Sequence, residues 1–322
     1  MGSLEELVRI RDGDRHAGRV GRSILAKALC QRTPRAWLER MGIHVVPVHF
    51  YQPLPDFAHL PESLWDDKDE PVGIELPTET MAELVHTIGQ RFGNELAAFP
   101  SEADPDGPYQ GYATHNGLFE SVDAEMLYGL VRLRRPQRII EIGSGYSTRL
   151  IRSAIARNRA EDPALDARLA SVDPFAADDL SREAPHWARV YRHPVQAMDP
   201  SCVEALEPGD MLFIDSSHAV SVGSDVVFEF LELIPRVRPG VLIHVHDVFL
   251  PYEYPRAWVK ERRIAWNEQY LLQSFLCHNR AYRIVFAGYW MHRKRPETLE
   301  AHVPTYDRRT TAPGSFYFER VA

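Results

Sequence analysis

Acidic and imidazole side chains directly follow two short apolar runs in the second half of the chain. Asp215 and His218 come after one run, and His246 and Asp247 come after the next. Burying four ionisable side chains together is costly unless they pair with one another, hold a metal ion or take up a substrate proton. The pattern therefore indicates a site of proton-transfer or metal chemistry, in which we expect Asp215 and His218 to be catalytic.

A glycine turn follows an earlier apolar run, which ends in Glu141 and Ile142. Gly143 and Gly145 would let the backbone approach a ligand closely, and the N-terminus of the helix behind them suits an anionic group. The third glycine of the dinucleotide-binding fingerprint is replaced by Thr148, which disfavours a nicotinamide or flavin enzyme. A tight turn that uses glycine only for its backbone angles is the alternative interpretation.

Asp173 ends the next apolar run, Ala170-Ser171-Val172. In doubly wound folds an acid at this strand end accepts hydrogen bonds from ribose hydroxyls. We predict that role for Asp173, and a helix N-cap is the alternative.

The elements that must position these residues alternate between short apolar runs and helical patterns. Such alternation predicts an α/β fold with a doubly wound, Rossmann-like and mostly parallel sheet. The last run, 315–321, follows a charged loop at 293–314 rather than a crossover helix, so we expect an antiparallel final strand. The six earlier strands are predicted at 138–142, 168–172, 189–192, 211–214, 241–245 and 283–286.

The N-terminal part lacks this alternation, so we predict a mainly helical cap at 1–122 and the sheet domain at 123–322. Residues 9–40 carry an excess of arginine, which predicts a solvated basic helix that packs on its own protein or on a partner subunit and could support a homo-oligomer. Residues 47–77 are rich in proline and aromatic residues and predict an irregular strap. Apolar residues at helical spacing predict a helix at 78–92.

Composition restricts the partners and the compartment. The net charge of −8 and the pI of about 6.0 disfavour nucleic acid, which leaves a small molecule as the expected partner. Three widely spaced cysteines form no metal or redox motif, which indicates free thiols in the cytoplasm. No apolar run is long enough to span a bilayer.

Together these motifs resemble the class I S-adenosylmethionine-dependent methyltransferases, in the branch grouped as methyltransferase family 24. The resemblance extends over about residues 51–286. It is carried by Glu141-x-Gly143-x-Gly145, Ser171-Val172-Asp173, Asp215-Ser216-Ser217-His218 and His246-Asp247-Val248-Phe249, together with the later Trp266-Asn267-Glu268-Gln269.

The resemblance implies S-adenosyl-L-methionine as cofactor and assigns residues to it. The turn Gly143-Ser144-Gly145 would hold the methionyl part, with Glu141 and Asp215 nearby. Asp173 would bind both ribose hydroxyls, and Gln196 would face the adenine.

Methyl transfer to a hydroxyl requires the acceptor to lose a proton, which a general base or a divalent ion can assist. His218 is the expected base. Asp215 and Asp247, with His246 beside them, would be the ligands of Mg²⁺ or another divalent metal. Our hypothesis is a metal-assisted O-methylation of a small molecule, and N-methylation on the same fold stays open.

Aromatic residues after the fifth strand suggest a wall for the acceptor. Tyr252, Tyr254 and Trp258 are the expected contacts, and packing of the loop onto the following helix is the alternative. The resemblance adds Tyr112, Asn116 and Phe119 from the cap side.

Two other classes of function remain. The string His244-x-His246-Asp247 would suit a non-haem iron oxygenase, although that interpretation leaves the glycine turn unexplained. The second class is a non-catalytic binding protein with a degenerate methyltransferase fold.

Overall fold

The computed structural model describes residues 32–46, 48–49, 51–102 and 111–322. The helix α1, Arg32–Arg40, is the described part of the predicted basic helix. Residues 9–31 of that prediction lie outside the described residues, and the homo-oligomer expected through this region stays a prediction.

Contacts between Cα atoms divide the chain into two compact units. The first comprises residues 1–64 and 257–265, and the second comprises residues 65–256 and 266–322. The predicted boundary between residues 122 and 123 stays a prediction. In the first unit the Arg263 guanidinium lies over the Phe57 ring, and the Lys260 ammonium donates a hydrogen bond to the Leu60 carbonyl.

The second unit contains the sheet and the helices around it. Its first helix, α2, is Thr78–Leu96, one turn longer than the predicted 78–92 because buried Phe92 and Leu96 continue the same apolar stripe. The next helix, α3, is Asp123–Arg134 and ends before Pro136.

Seven strands form one sheet in the order β3-β2-β1-β4-β5-β7-β6. The pairs among β1 to β5 are parallel, whereas β7 is antiparallel to both β5 and β6. The mostly parallel Rossmann-like sheet and the antiparallel last strand are confirmed. The strands are β1 Arg138–Ile142, β2 Arg168–Val172, β3 Ala188–Tyr191, β4 Met211–Ile214, β5 Leu242–Val245, β6 Tyr282–Ala287 and β7 Phe316–Arg320.

Helices and short turns connect the strands. The stretch predicted as a loop at 293–314 contains a helix, which corrects that prediction: proline is tolerated at a first helical position, and Pro296 occupies it there. The helices after α3 are α4 Tyr146–Glu161, α5 Asp178–Arg182, α6 Ser201–Glu204, α7 Asp225–Phe228, α8 Arg256–Lys260, α9 Glu268–Leu276, α10 Gly288–Lys294 and α11 Pro296–His302. No helix of the described residues is long and apolar enough to cross a bilayer.

The sheet register brings the chemistry-bearing residues to one edge. Ile142 pairs with Val172 on one side and with Ile214 on the other, and Ile214 pairs with Val245. The residues that follow these four strand ends therefore share the carboxyl edge, where open α/β sheets bind ligands. Strands β4 and β5 are buried along their whole length, so the edge rests on a rigid support.

Candidate active site

The glycine turn packs directly against the end of the neighbouring strand. Gly143 has φ +86°, and a Cβ atom there would lie 1.9 Å from the Asp215 carbonyl oxygen. No residue with a side chain fits that space, because both the backbone angle and the overlap oppose it. The turn is thus held in register with Asp215, whose amide also donates to the Ile142 carbonyl at 2.9 Å.

Glu141 lies wholly buried beneath this turn. Its carboxylate accepts hydrogen bonds from Ser147 at 2.8 Å, Thr148 at 2.8 Å and Ser171 at 2.5 Å. We call these four residues the hydroxyl cluster. Burial raises the pKa of Glu141 to about 7, even though the three hydroxyl groups favour the charged form. Glu141 therefore braces the turn from inside the sheet.

Asp173 lies at the end of β2, beside the glycine turn. Its carboxylate accepts from the Ser144 hydroxyl at 2.6 Å and from the Phe175 amide at 2.7 Å. Phe175 itself is 91% exposed. Gln196 follows β3, and its exposed side chain donates to the Gly223 carbonyl at 3.0 Å. Ser144 and Asp173 are thus in contact. The roles of Ser144, Asp173 and Gln196 toward a cofactor stay predictions.

His218 stands between the ends of β4 and β5. Its Nε2 atom is 3.3 Å from the Asp215 Oδ1 and 3.6 Å from the Asp247 Oδ2. His246, also at this edge, has its Nε2 atom 3.7 Å from the Asp247 Oδ1. We call Asp215, His218, His246 and Asp247 the imidazole cluster; the structure brings together these four residues, as the sequence predicts.

The charges in the imidazole cluster stabilise one another. Burial opposes ionisation of Asp215, but His246 and His218 outweigh it and lower the pKa of Asp215 to about 2. Burial also opposes a charge on His218, yet Asp215 and Glu268 raise its pKa well above the usual value. For Asp247 burial dominates and raises the pKa. The free protein therefore holds a protonated His218 against an ionised Asp215.

His244 differs from its neighbour His246. The His244 ring is fully buried, its Nε2 is 3.0 Å from the Ser315 hydroxyl and its face stacks on Phe213, with the ring centroids 4.1 Å apart. Burial lowers the pKa of His244 well below its usual value, so the ring is neutral. These contacts identify His244 as a packing residue of the strand and weaken the iron-oxygenase interpretation.

The donors at this edge do not fit a divalent metal. Among the described residues, no group of three or more His, Cys, Asp and Glu side chains is arranged to hold a metal ion. The His218 ring lies within ion-pair distance of both carboxylates that were expected to be ligands. Mg²⁺ prefers oxygen ligands, whereas two of the four side chains of this cluster present imidazole nitrogens.

The aromatic residues after β5 are mostly used for packing. The Tyr252 hydroxyl donates to Asp67 at 2.9 Å, and the Tyr254 hydroxyl accepts from the Gln269 amide at 3.2 Å. Both tyrosines are at least 95% buried. Trp258 lies in α8 and belongs to the first unit. As acceptor contacts, these three residues stay predictions.

Of the three acceptor contacts expected from the cap side, Tyr112 and Asn116 make local hydrogen bonds and Phe119 reaches the imidazole cluster. The Asn116 side-chain NH₂ group donates to the Phe119 backbone carbonyl, and the Asn116 side-chain oxygen accepts from the Phe119 backbone amide. Both polar groups of this side chain are therefore used within its own turn. The Tyr112 hydroxyl donates to the Phe119 carbonyl at 2.9 Å. The Phe119 ring lies 4.9 Å from the His246 ring, so Phe119 reaches the imidazole cluster and the other two residues hold it there.

Two important residues have no assigned role in the sequence analysis. The Glu268 Oε2 lies 2.9 Å from the His218 Nδ1, and Asp123 accepts from the amides of Gly314 and Ser315, both at 2.9 Å. Each contact joins positions 50 or more residues apart, a separation that no local pattern encodes. The resemblance of the Trp266-Asn267-Glu268-Gln269 segment to the family was the one available signal, and it concerned only Glu268.

Comparisons with known proteins identify a methyltransferase domain in this chain. Residues 140–248 match the model of a methyltransferase domain family, methyltransferase family 24. An uncharacterized protein of Archaeoglobus fulgidus is 30% identical over 168 residues, which cover 50% of this chain and 73% of that protein. The matched region of the family model includes the glycine turn, Asp173 and the imidazole cluster.

Solved methyltransferase structures show only weak similarity. The apo structure of CalS11, a TDP-rhamnose 3'-O-methyltransferase of calicheamicin biosynthesis, is 13% identical with a TM-score of 0.38, over 77% of this chain and 96% of that chain. The mycinamycin methyltransferase MycE, in complex with Mg, SAH and mycinamycin VI, is 13% identical with a TM-score of 0.36, over 74% of this chain and 54% of that chain. Similarity at this level says nothing about the chemistry of this chain.

The Rossmann-like sheet, the glycine turn and the acidic strand ends define a class I S-adenosylmethionine-dependent methyltransferase. Within that class the chain belongs to methyltransferase family 24.

Proposed function

We propose that this enzyme methylates a hydroxyl group of a small-molecule acceptor, with His218 as the general base. The observation that carries the proposal is the direct packing of Gly143 on Asp215, with the His218 ring 3.3 Å from the Asp215 carboxylate. The predicted cofactor turn and the predicted base are therefore neighbours at one edge of the sheet.

The residues around the glycine turn fit S-adenosylmethionine. A Cβ atom on Gly145 would meet nothing within 4 Å, so this part of the turn opens onto free space. Asp173, beside it, is a carboxylate that can accept from two hydroxyl groups. When bound, the cofactor supplies an electrophilic methyl group. Ser144, Gly145 and Asp173 would hold it, with Gln196 as the adenine contact predicted from the family resemblance.

The His218 ring supports oxygen rather than nitrogen as the acceptor atom. A neutral amine attacks a methyl group with its own lone pair, whereas a hydroxyl is a weak nucleophile until its proton is removed. A buried imidazole with two adjacent carboxylates is suited to removing that proton. Because its pKa is raised, His218 must first release its own proton, and a cation bound at the neighbouring turn would favour that release through its positive field.

We derive no step through a metal ion, because the donors of the imidazole cluster do not fit one. In this account Asp215 and Asp247 act on His218: they orient its ring and stabilise the imidazolium that forms when it takes the acceptor's proton.

Transfer of a labelled methyl group to a panel of sugars, phenols and amines tests the proposal. We expect products on hydroxyl groups, located by fragmentation of the purified products. Methylation confined to nitrogen would overturn the assignment to oxygen. Failure of the protein to bind S-adenosylmethionine in calorimetry would overturn the cofactor site.

A further inference from the structure

The segment Trp266-Asn267-Glu268-Gln269, at the start of α9, packs against the loop that carries His218. The amides of Asn267 and Glu268 donate to the His218 carbonyl at 3.1 and 3.3 Å. The Trp266 ring lies 4.4 Å from the His218 ring. Both the backbone and the ring of His218 therefore rest on this segment.

The backbone of His218 needs such support. Its φ is +59°, a left-handed conformation that residues other than glycine seldom adopt. The Asn267 side chain also accepts from the Val220 amide at 2.6 Å, two residues beyond His218. These bonds fix the loop and thereby fix the point from which the imidazole projects.

Glu268 contacts one of the two ring nitrogens of His218. The carboxylate is 1% exposed, and its Oε2 lies 2.9 Å from the His218 Nδ1. Burial raises the pKa of Glu268, and the adjacent His218 ring opposes that rise. In its ionised form the carboxylate only accepts hydrogen bonds, so Nδ1 then carries a proton and donates it. The Nε2 atom is then the end that gains or loses a proton, and it faces Asp215 and Asp247.

The same segment also holds the end of β5. The Gln269 side chain accepts from the Phe249 amide at 3.0 Å, two residues beyond Asp247. One short segment thus ties together the two loops that carry the imidazole cluster.

We propose that Glu268 is a positioning residue, which fixes the tautomer and the orientation of His218 so that Nε2 serves as the base. This inference rests on the proposed function of His218. Glu268 does not contact the acceptor in this account; it acts through the ring.

The test compares Glu268→Gln with the matched control Glu229→Gln. Glu229 is also a fully buried carboxyl, and it bonds Ser216 at 2.9 Å rather than the imidazole. We expect Glu268→Gln to lower kcat at least about tenfold, with the acceptor KM and the cofactor Kd within about threefold of wild type. Glu229→Gln should keep kcat within about threefold. Full kcat in Glu268→Gln, or equal losses in both variants, would overturn the proposal.

A double-mutant cycle separates positioning from general destabilisation. In a His218→Gln background, Glu268→Gln should cause no further loss of kcat, because the ring it orients is absent. A further tenfold loss in that background would show that Glu268 acts only on the structure, and would overturn the inference.

A direct measurement covers the case in which Glu268→Gln fails to fold. In ¹⁵N-histidine-labelled wild-type protein, the His218 ring signals are assigned by their loss in His218→Gln. We expect a hydrogen-bonded proton on Nδ1, and a neutral ring protonated only on Nε2 would contradict the assignment. Because this measurement needs no acceptor, it tests the positioning of His218 even if wild-type protein methylates no hydroxyl and the proposed function fails.

Discussion

Two carboxyl groups at the same edge of the sheet, the fully buried Glu141 and the 30% exposed Asp215, have opposite protonation behaviour. Glu141 is surrounded by three hydroxyl groups and has a pKa raised to about 7, whereas Asp215 faces two imidazoles and has a pKa lowered to about 2. Hydroxyl groups donate hydrogen bonds but bring no charge, so they offset only part of the loss of water around Glu141. Imidazolium groups do offset it around Asp215. Neighbouring strand ends thus provide a neutral brace for the predicted cofactor turn and a charged pair for the predicted acceptor.

The largest effect should come from removing the base of the imidazole cluster. We expect His218→Gln to lower kcat by about 10²- to 10⁴-fold, because the acceptor's proton then has no base to receive it. In the proposed function the cofactor is held by Ser144, Gly145 and Asp173, so its Kd should change less than about threefold. Steady-state kinetics and calorimetry measure the two quantities. A variant with wild-type turnover would show that His218 is not the base.

Gly143→Ala breaks the packing of the glycine turn on Asp215. The new Cβ atom would overlap the Asp215 carbonyl at a backbone angle that alanine disfavours. We expect a loss of about 3 kcal/mol or more in the free energy of unfolding, measured by urea denaturation. The control is Gly93→Ala, at a helical position where a Cβ meets nothing within 4 Å. That change should be neutral or stabilising, and equal losses in both variants would contradict the argument.

The neutral character of the hydroxyl cluster predicts a pH dependence of stability. Between about pH 4.5 and 7 the folded protein keeps the proton on Glu141 that the unfolded chain releases, so the free energy of unfolding falls as the pH rises through this window. The contribution is about 3 kcal/mol, and above pH 7 it stays constant. Glu141→Gln removes this group, so the stability of the variant relative to wild type should increase from pH 4.5 to 7. A difference independent of pH would show that Glu141 is ionised throughout.

A substitution at Asp173 tests the predicted cofactor site without changing Glu141 or Asp215. Asp173→Ala should weaken S-adenosylmethionine binding about 10- to 100-fold, since it removes a charged acceptor for two hydroxyl groups. The exposed Asp178, five residues later, bonds Arg192, and Asp178→Ala is the control for a lost negative charge. Calorimetry should find the control unchanged. Unchanged affinity in Asp173→Ala would mean that the ribose binds elsewhere.

The smallest expected effect is that of a chelator. Because His218 provides the positive charge between the two carboxylates, turnover should be the same, within error, with and without excess EDTA. Loss of turnover that added Mg²⁺ restores would contradict this expectation and would favour the metal-assisted hypothesis from the sequence.

Much of the fold was predictable because its signals are local. Apolar runs gave the seven strands to within one residue at each end, and the register then placed Asp173, Asp215 and His246 at one edge. The helix at Pro296–His302 was missed because charge and proline density were interpreted as a loop. Proline at a first helical position is compatible with a helix start.

Within the site, residue identity was predictable but residue pairing was not. His218 follows β4 by sequence alone, whereas its partner Glu268 is set by tertiary packing. Tyr252 and Asn116 show the same limit, because their polar atoms are used by Asp67 and by a local turn that no spacing pattern revealed. The roles of the cofactor and acceptor residues stay predictions until ligands are bound.

The position of β7 has a consequence for synthesis of the chain. This strand lies between β5 and β6, although residues 316–320 are made after both. Until they leave the ribosome, β5 has an open edge and β6 has no neighbour in the sheet. Unpaired strand edges promote association between chains. Nascent copies of this enzyme should therefore be prone to association until residues 316–320 have emerged and β7 has joined β6 to β5.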